Sequence, residues 1–218
     1  MPAHMPALAV LLEVLNWTGA ATFAASGALV ASRKQMDPVG FVLIAATTAF
    51  GGGTVRDLLL GRPVAWLGTP GLVLLAALVA LLVFFTAHRV ERRFALLLWA
   101  DAVGMALFAV LGAEAALAEG ASPWAAILLG MMTATFGGAL RDVICGELPL
   151  ILRKEIYATA AAAGAALFVA LTQAGLERGA AILAGMGLAF AIRAAALRWG
   201  WSLPAYKPRP GRDYPNHP

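Results

Sequence analysis

Two strings in this sequence place an arginine and an aspartate side by side, shortly after adjacent glycines. The first reads Gly51-Gly52-Gly53-Thr54-Val55-Arg56-Asp57 and the second Gly137-Gly138-Ala139-Leu140-Arg141-Asp142. Both lie inside apolar runs, where ionisable residues are costly and mark a functional site by default. Each glycine costs about 1 kcal/mol relative to alanine in a helix interior. Two or three together favour a kink that frees carbonyls from the helical ladder. Facing lipid, such carbonyls lack partners; lining a wet cavity, they become ligands for a cation. The same glycines also have a packing reading, because small residues let helix backbones approach closely. The charges divide in the same way. Arg56 with Asp57 and Arg141 with Asp142 either set the field of a pathway or neutralise one another, locally or across the two strings. On a broken helix each aspartate sits near the N-terminus of the second half, where the helix dipole favours an anion.

Hydroxyls and further acids surround these strings. Thr48 and Thr133 stand one turn ahead of the glycines. They offer oxygen atoms to a pathway or bond back to their own helix carbonyls. Thr22, Ser26, Thr47 and Thr135 are further mid-helix hydroxyls, and Glu13, Asp101 and Glu114 are acids in or near helices one and four. His4, His88 and His217 sit at ends or in a loop, without metal-ligand spacing. No nucleophile–base arrangement, phosphate loop or redox motif is present, so no catalytic residue, cofactor or resident metal is expected. Any bound metal would be a permeant cation in transit. Cys145, the single cysteine, reads as a small buried hydrophobe.

The elements that position these residues are membrane helices. Apolar residues make up 61% of the 218 and charged residues only 13%, with a mean hydropathy of +0.80. A soluble domain is about half apolar and about a quarter charged. The composition excludes a soluble enzyme, a disordered chain and a nucleic-acid-binding domain, despite the net charge of +4. Apolar runs at about 8–31, 39–61, 70–87, 94–117, 124–146, 156–175 and 180–200 predict seven spans, each near the roughly 20 residues a span needs. Residues 204–218 form a short polar tail. With seven spans, Arg33, Lys34, Arg89, Arg92, Arg93, Arg153, Lys154, Arg198, Lys207, Arg209 and Arg212 share a side with the C-terminus. Arg62 and Arg178 lie opposite. This bias predicts an external N-terminus and a cytoplasmic C-terminus.

The chain also repeats itself. Shifting it by 85 residues aligns Gly19–Gly61 with Gly104–Gly146 without a gap, matching Phe23/Phe108, Gly27/Gly112, Pro38/Pro123, Thr48/Thr133, Gly52/Gly137, Gly53/Gly138, Arg56/Arg141 and Asp57/Asp142. A three-helix repeat must enter the bilayer from opposite sides in its two copies. The expected architecture is therefore an all-α integral membrane protein with a 3+3 inverted repeat (8–87 and 94–175) and an added seventh helix (180–200). Sites in such folds lie near the midplane, at broken helices occupying equivalent places in the halves. Helices two and five are the ones expected to break.

This layout, with the strings GGGTVRDLLLG and FGGALRDVICG, resembles the prokaryotic members of the trimeric intracellular cation channel (TRIC) family, also described as a putative glycine transporter family. The resemblance covers residues 10–200. It implies a homotrimer in a plasma or inner membrane, with one pore per protomer passing monovalent cations, notably potassium. Its partners would be those cations, membrane lipids and further copies of itself, with no nucleic acid. The resemblance makes Gly51, Gly52, Gly53, Gly137 and Gly138 hinges of the pore; the second motif, Gly-Gly-Ala, is the stiffer. Animal members bind phosphoinositide near a basic stretch at the start of helix four, where Arg92 and Arg93 stand here. The small-residue faces Ala160–Ala166 and Gly185–Gly187 suit contact between protomers. A secondary transporter for a small solute such as glycine is the alternative that inverted repeats and broken helices also allow.

Overall fold

Proline and a capping side chain start the two helices that carry the motifs. Asp37 accepts a hydrogen bond from the Gly40 amide ahead of Pro38, and Ser122 accepts one from the Ala125 amide ahead of Pro123. Each cap satisfies an otherwise unpaired first-turn amide, and proline costs nothing at the first helical position. A computed structural model of the chain describes residues 4–89 and 93–204. Within them run seven helices: α1 (His4–Arg33), α2 (Pro38–Leu59), α3 (Pro70–Thr86), α4 (Arg93–Ala118), α5 (Pro123–Ile144), α6 (Ala158–Gln173) and α7 (Arg178–Trp199). Short 3-10 turns follow α2 at Ala65–Gly68 and α5 at Leu150–Leu152. Arg92 and residues 205–218, with Lys207, Arg209, Arg212 and His217, lie outside the described residues.

Six of the helices are long and apolar enough to cross a membrane. The exception is α6, whose 16 residues reach about 24 Å at 1.5 Å per residue, short of the roughly 30 Å hydrocarbon core. The apolar run at 156–175 loses its start because Tyr157 turns into the interior, where it is buried. Nor is the small-residue face of α6 free for another protomer. Ala160, Ala161, Gly164 and Ala165 are buried, and a Cβ added at Gly164 would lie 2.6 Å from the Gly185 carbonyl oxygen of α7. These residues close α6 onto α7 within one chain.

The repeat is visible as reciprocal contacts. Phe23 of α1 and Phe108 of α4 stack with ring centroids 5.3 Å apart. Gly19 makes room for Phe108, and Gly104 for Phe23. Gly27 receives Thr48, as Gly112 receives Thr133. Even the loop ion pairs obey the 85-residue shift, with their signs exchanged. Lys34 meets Glu147 at 3.4 Å, and Arg62 meets Glu119 at 3.3 Å. A two-fold relation between α1–α3 and α4–α6 produces this pattern, and α7 lies against α4 and α6 outside it. Association in lipid gains little from the hydrophobic effect, so close approach and buried polar pairs must hold the helices together. The alanines and glycines of the core allow that approach.

Candidate functional site

At the centre, α2 crosses α5 with the two backbones in contact. Both helices run continuously through Gly51–Gly53 and Gly137–Gly138, and none of these glycines has a positive φ. Neither helix is interrupted at the glycines, as a full break would require. The glycines meet a different demand. A Cβ at Gly52 would overlap the Thr133 carbonyl, approaching its carbon to 2.9 Å, and one at Gly137 would overlap the Thr48 carbonyl. Absence of a side chain lets each helix rest on the other's carbonyl. Gly51 faces the end of the Leu140 side chain, Gly53 meets only the tip of Arg56, and Gly138 lies beside Asp101, Arg141 and Tyr157. The hydroxyls do not face a path either. Thr48 donates to Ile44 at 2.7 Å and Thr133 to Leu129 at 2.6 Å, each within its own helix. Thr22, Thr47 and Thr135 also bond back.

Because the helices are unbroken, Asp57 and Asp142 stand in the last turn rather than at the start of a second half-helix. A helix C-terminus disfavours an anion, so other groups must stabilise both carboxylates. Arg56 Nη2 lies 2.8 Å from Asp57 Oδ1, and the Ala65 amide donates to Asp57 Oδ2 at 2.9 Å. The mirrored set has Arg141 Nε on Asp142 Oδ1 at 2.8 Å and the Leu150 amide donating to Asp142 Oδ2 at 3.2 Å. Each arginine thus pairs with its neighbour in sequence, and each aspartate hangs the following 3-10 turn from its helix.

Beyond this shared frame the two ends differ. Arg141 is fully buried and extends Nη1 to Asp101 Oδ1 of α4 at 3.0 Å and to Ser26 Oγ of α1. Three helices are therefore tied by one guanidinium. Two carboxylates meet this single cation, and Asp101 Oδ2 is buried without a hydrogen-bond partner among the described residues, with the buried Tyr157 hydroxyl beside Asp101. At the α2 end the counterparts of Asp101 and Ser26 are Asn16 and Leu111, so the third tie is missing. Arg56 instead borders a cavity of about 30 Å³ lined in part by Asn16, Phe50, Gly53 and Trp66, about the share of volume that one water takes. Trp66 closes its outer side, stacked on Phe50 and donating to Thr54 Oγ1 at 2.9 Å.

Sequence reasoning placed the two arginine–aspartate couples correctly on α2 and α5 but missed what completes them. Asp101, one of the further acids, is fully buried. Carrying the 85-residue shift three positions upstream of Gly19 pairs it with Asn16 and would have tied it to the motif. Glu114 is taken by Arg178 at 2.8 Å, and Glu13 is exposed. Arg193 is buried on α7, with Nη2 on Glu155 at 2.7 Å and its guanidinium 5.1 Å from the centre of the Tyr157 ring. Cys145 caps the end of α5 and is buried, as expected of a small hydrophobe.

Known proteins resemble this chain in sequence and fold. A family model described as "Glycine transporter" matches residues 13–89 and 98–173. The UPF0126 membrane protein of Vibrio cholerae is 37% identical over 202 residues, covering 90% of this chain and 83% of the relative. The UPF0126 inner membrane protein YadS of Escherichia coli K12 is 36% identical, covering 90% and 97%. Among solved structures, the trimeric intracellular cation channel orthologue of Rhodobacter sphaeroides is 55% identical and covers 88% of this chain and 99% of its own, with a TM-score of 0.85. A Caenorhabditis elegans trimeric intracellular cation channel, at 20% identity and a TM-score of 0.59, shares the fold. A multi-helix membrane fold, the mirrored glycine and arginine–aspartate motifs and these relatives converge: the chain belongs to the trimeric intracellular cation channel family, whose family model carries the description glycine transporter.

Proposed function

We propose that this protein is a channel for monovalent cations, potassium among them. It works as a homotrimer in the inner or plasma membrane, with one path per protomer between the two halves of the repeat. The N-terminus is external and the C-terminus cytoplasmic, in accord with the distribution of lysine and arginine. The observation that carries this reading is the Arg141 cluster. With both carboxylates ionised, Asp101 and Asp142 leave one negative charge in excess of Arg141, and Asp101 Oδ2 accepts no hydrogen bond among the described residues. A buried excess of negative charge beyond the tethered Arg141 is relieved by a second, mobile cation. The solved relatives, described as cation channels and one of them in terms of conductance, support the same function.

The described conformation is the non-conducting one in this account. A crossing too tight for a methyl group at Gly52 or Gly137 leaves no space for a cation with any of its water. Conduction requires α2 and α5 to part, which uncovers the Thr48 and Thr133 carbonyls beside Gly51–Gly53 and Gly137–Gly138. It also requires Arg141 to release Asp101, so that a permeant ion takes its place. Arg56 and Asp57 set the field at the other end, where hydration weakens their effect. Potassium efflux from proteoliposomes, run beside uptake of labelled glycine, tests the assignment. Potassium release that depends on the protein, without saturable glycine uptake, is expected. Saturable glycine uptake without potassium release would make the protein a carrier.

A further inference from the structure

An open cleft of about 620 Å³ lies away from the α2–α5 crossing, where the segment after α5 meets the end of α7. Its floor is closed and electrically balanced: Arg193 holds Glu155 and donates from Nη1 to the Ile156 carbonyl at 3.1 Å. Its rim is not balanced. Arg153 donates only to the Leu148 carbonyl, and neither Arg153 nor Lys154 has a carboxylate partner among the described residues. Lys154 is exposed, and its carbonyl receives the Leu203 amide at 3.0 Å, which fixes the rim against the end of α7. Between the two cations and the helices the wall is apolar, formed by Leu148, Leu152, Leu197 and Trp201, with Leu148, Leu152 and Trp201 exposed.

The chemistry of this cleft is that of an amphiphile with an anionic head. A lipid phosphate offers anionic oxygens that can accept from both adjacent cations, while a soluble anion would leave the leucines and the tryptophan wet. The cleft also lies at the depth of lipid headgroups. It opens at the ends of two membrane-length helices, and Trp199 and Trp201 stack beside it with centroids 5.5 Å apart; tryptophan concentrates at that level of a bilayer. We propose that the cleft binds an anionic phospholipid, its phosphate between Arg153 and Lys154 and the upper part of one acyl chain along Leu148, Leu152 and Trp201. None of these residues belongs to the basic stretch at the start of α4, and the site does not depend on what the protein conducts.

Native mass spectrometry of the detergent-solubilised assembly tests the proposal by titration with dioleoyl-phosphatidylglycerol, dioleoyl-phosphatidylcholine or glycerol 3-phosphate. One basic residue near an anionic surface is worth about fivefold in binding, so two are worth about 25-fold. Phosphatidylglycerol should bind well ahead of phosphatidylcholine, and Arg153→Gln with Lys154→Gln should remove most of that preference while the assembly stays intact. Leu152→Ser, at an exposed position, should weaken both lipids without touching the charge. Equal binding of the two lipids, or an unchanged preference in the double variant, would overturn the proposal. So would glycerol 3-phosphate displacing phosphatidylglycerol at comparable concentration, because the cleft would then read a free phosphate rather than a lipid.

Discussion

Replacing Gly52 by alanine adds one methyl group where α2 rests on α5. Its carbon would lie 2.9 Å from the Thr133 carbonyl carbon and nearer still to the oxygen. Ordinary contact begins near 3.4 Å, so clearing the oxygen requires the helices to separate by more than about an ångström. The obstacle is backbone, which cannot swing aside as a side chain does. Overpacking of this kind costs about 1–3 kcal/mol, and for a chain of this size that corresponds to a fall in melting temperature of about 2–12 °C. Gly53 is one residue away in the same motif, but a methyl there meets only Arg56 Nη2, at 3.8 Å. Gly53→Ala should therefore be neutral, or stabilising by up to about 1 kcal/mol through helix propensity. Thermal unfolding of both variants in one detergent, followed by loss of the assembled species, separates the cases. A hinge reading expects the two glycines to matter alike, whereas the crossing reading expects only Gly52 to matter. Equal melting temperatures for Gly52→Ala and Gly53→Ala would refute the argument from contact. Leucine at 52 exceeds what the crossing tolerates, and we expect that variant to fail in assembly rather than to conduct poorly.

Four further outcomes follow from the same geometry. Arg141→Gln strands two buried carboxylates and should destabilise the protein by about 3–5 kcal/mol, whereas adding Asp101→Asn and Asp142→Asn should restore assembly; a double-mutant cycle on melting temperature measures the coupling. Arg56→Gln should cost clearly less, because its side chain keeps 11% exposure beside a small cavity, and an equal loss would contradict the difference drawn between the two ends. Burial pushes the Cys145 thiol up, so less of the reactive thiolate forms at a given pH; maleimide should label the folded protein slowly and the SDS-denatured protein quickly, with comparable rates counting against the burial. Reporter fusions should place the C-terminus in the cytoplasm and the N-terminus outside, and a same-side result would remove the proposed orientation.

The elements were readable because their signals are local or periodic. Pro38 and Pro123, with caps at Asp37 and Ser122, start helices at positions related by the repeat, and the apolar runs gave seven helices. Helix six shows where such a signal stops: Tyr157 continues the apolar run but serves tertiary packing, so the helix begins after it. The glycine strings were legible as important and ambiguous as to purpose. Flexibility and proximity both call for glycine, and only the position of the facing carbonyl decides between them. The partners of Arg141 were hidden for a related reason. Ser26 and Asp101 lie 115 and 40 residues away in sequence, and no spacing rule within one helix connects groups on three.

The central claim is that cations pass through this protein once α2 and α5 part. Single-channel recording of the purified protein in planar bilayers, under a potassium gradient, tests it most directly. The account predicts discrete unitary currents that reverse near the potassium equilibrium potential, and a changed unitary current or open probability when Arg141, Asp101 and Asp142 are neutralised together in an assembled variant. Bilayers that hold correctly assembled protein and show no unitary currents, or currents indifferent to that triple replacement, would contradict it.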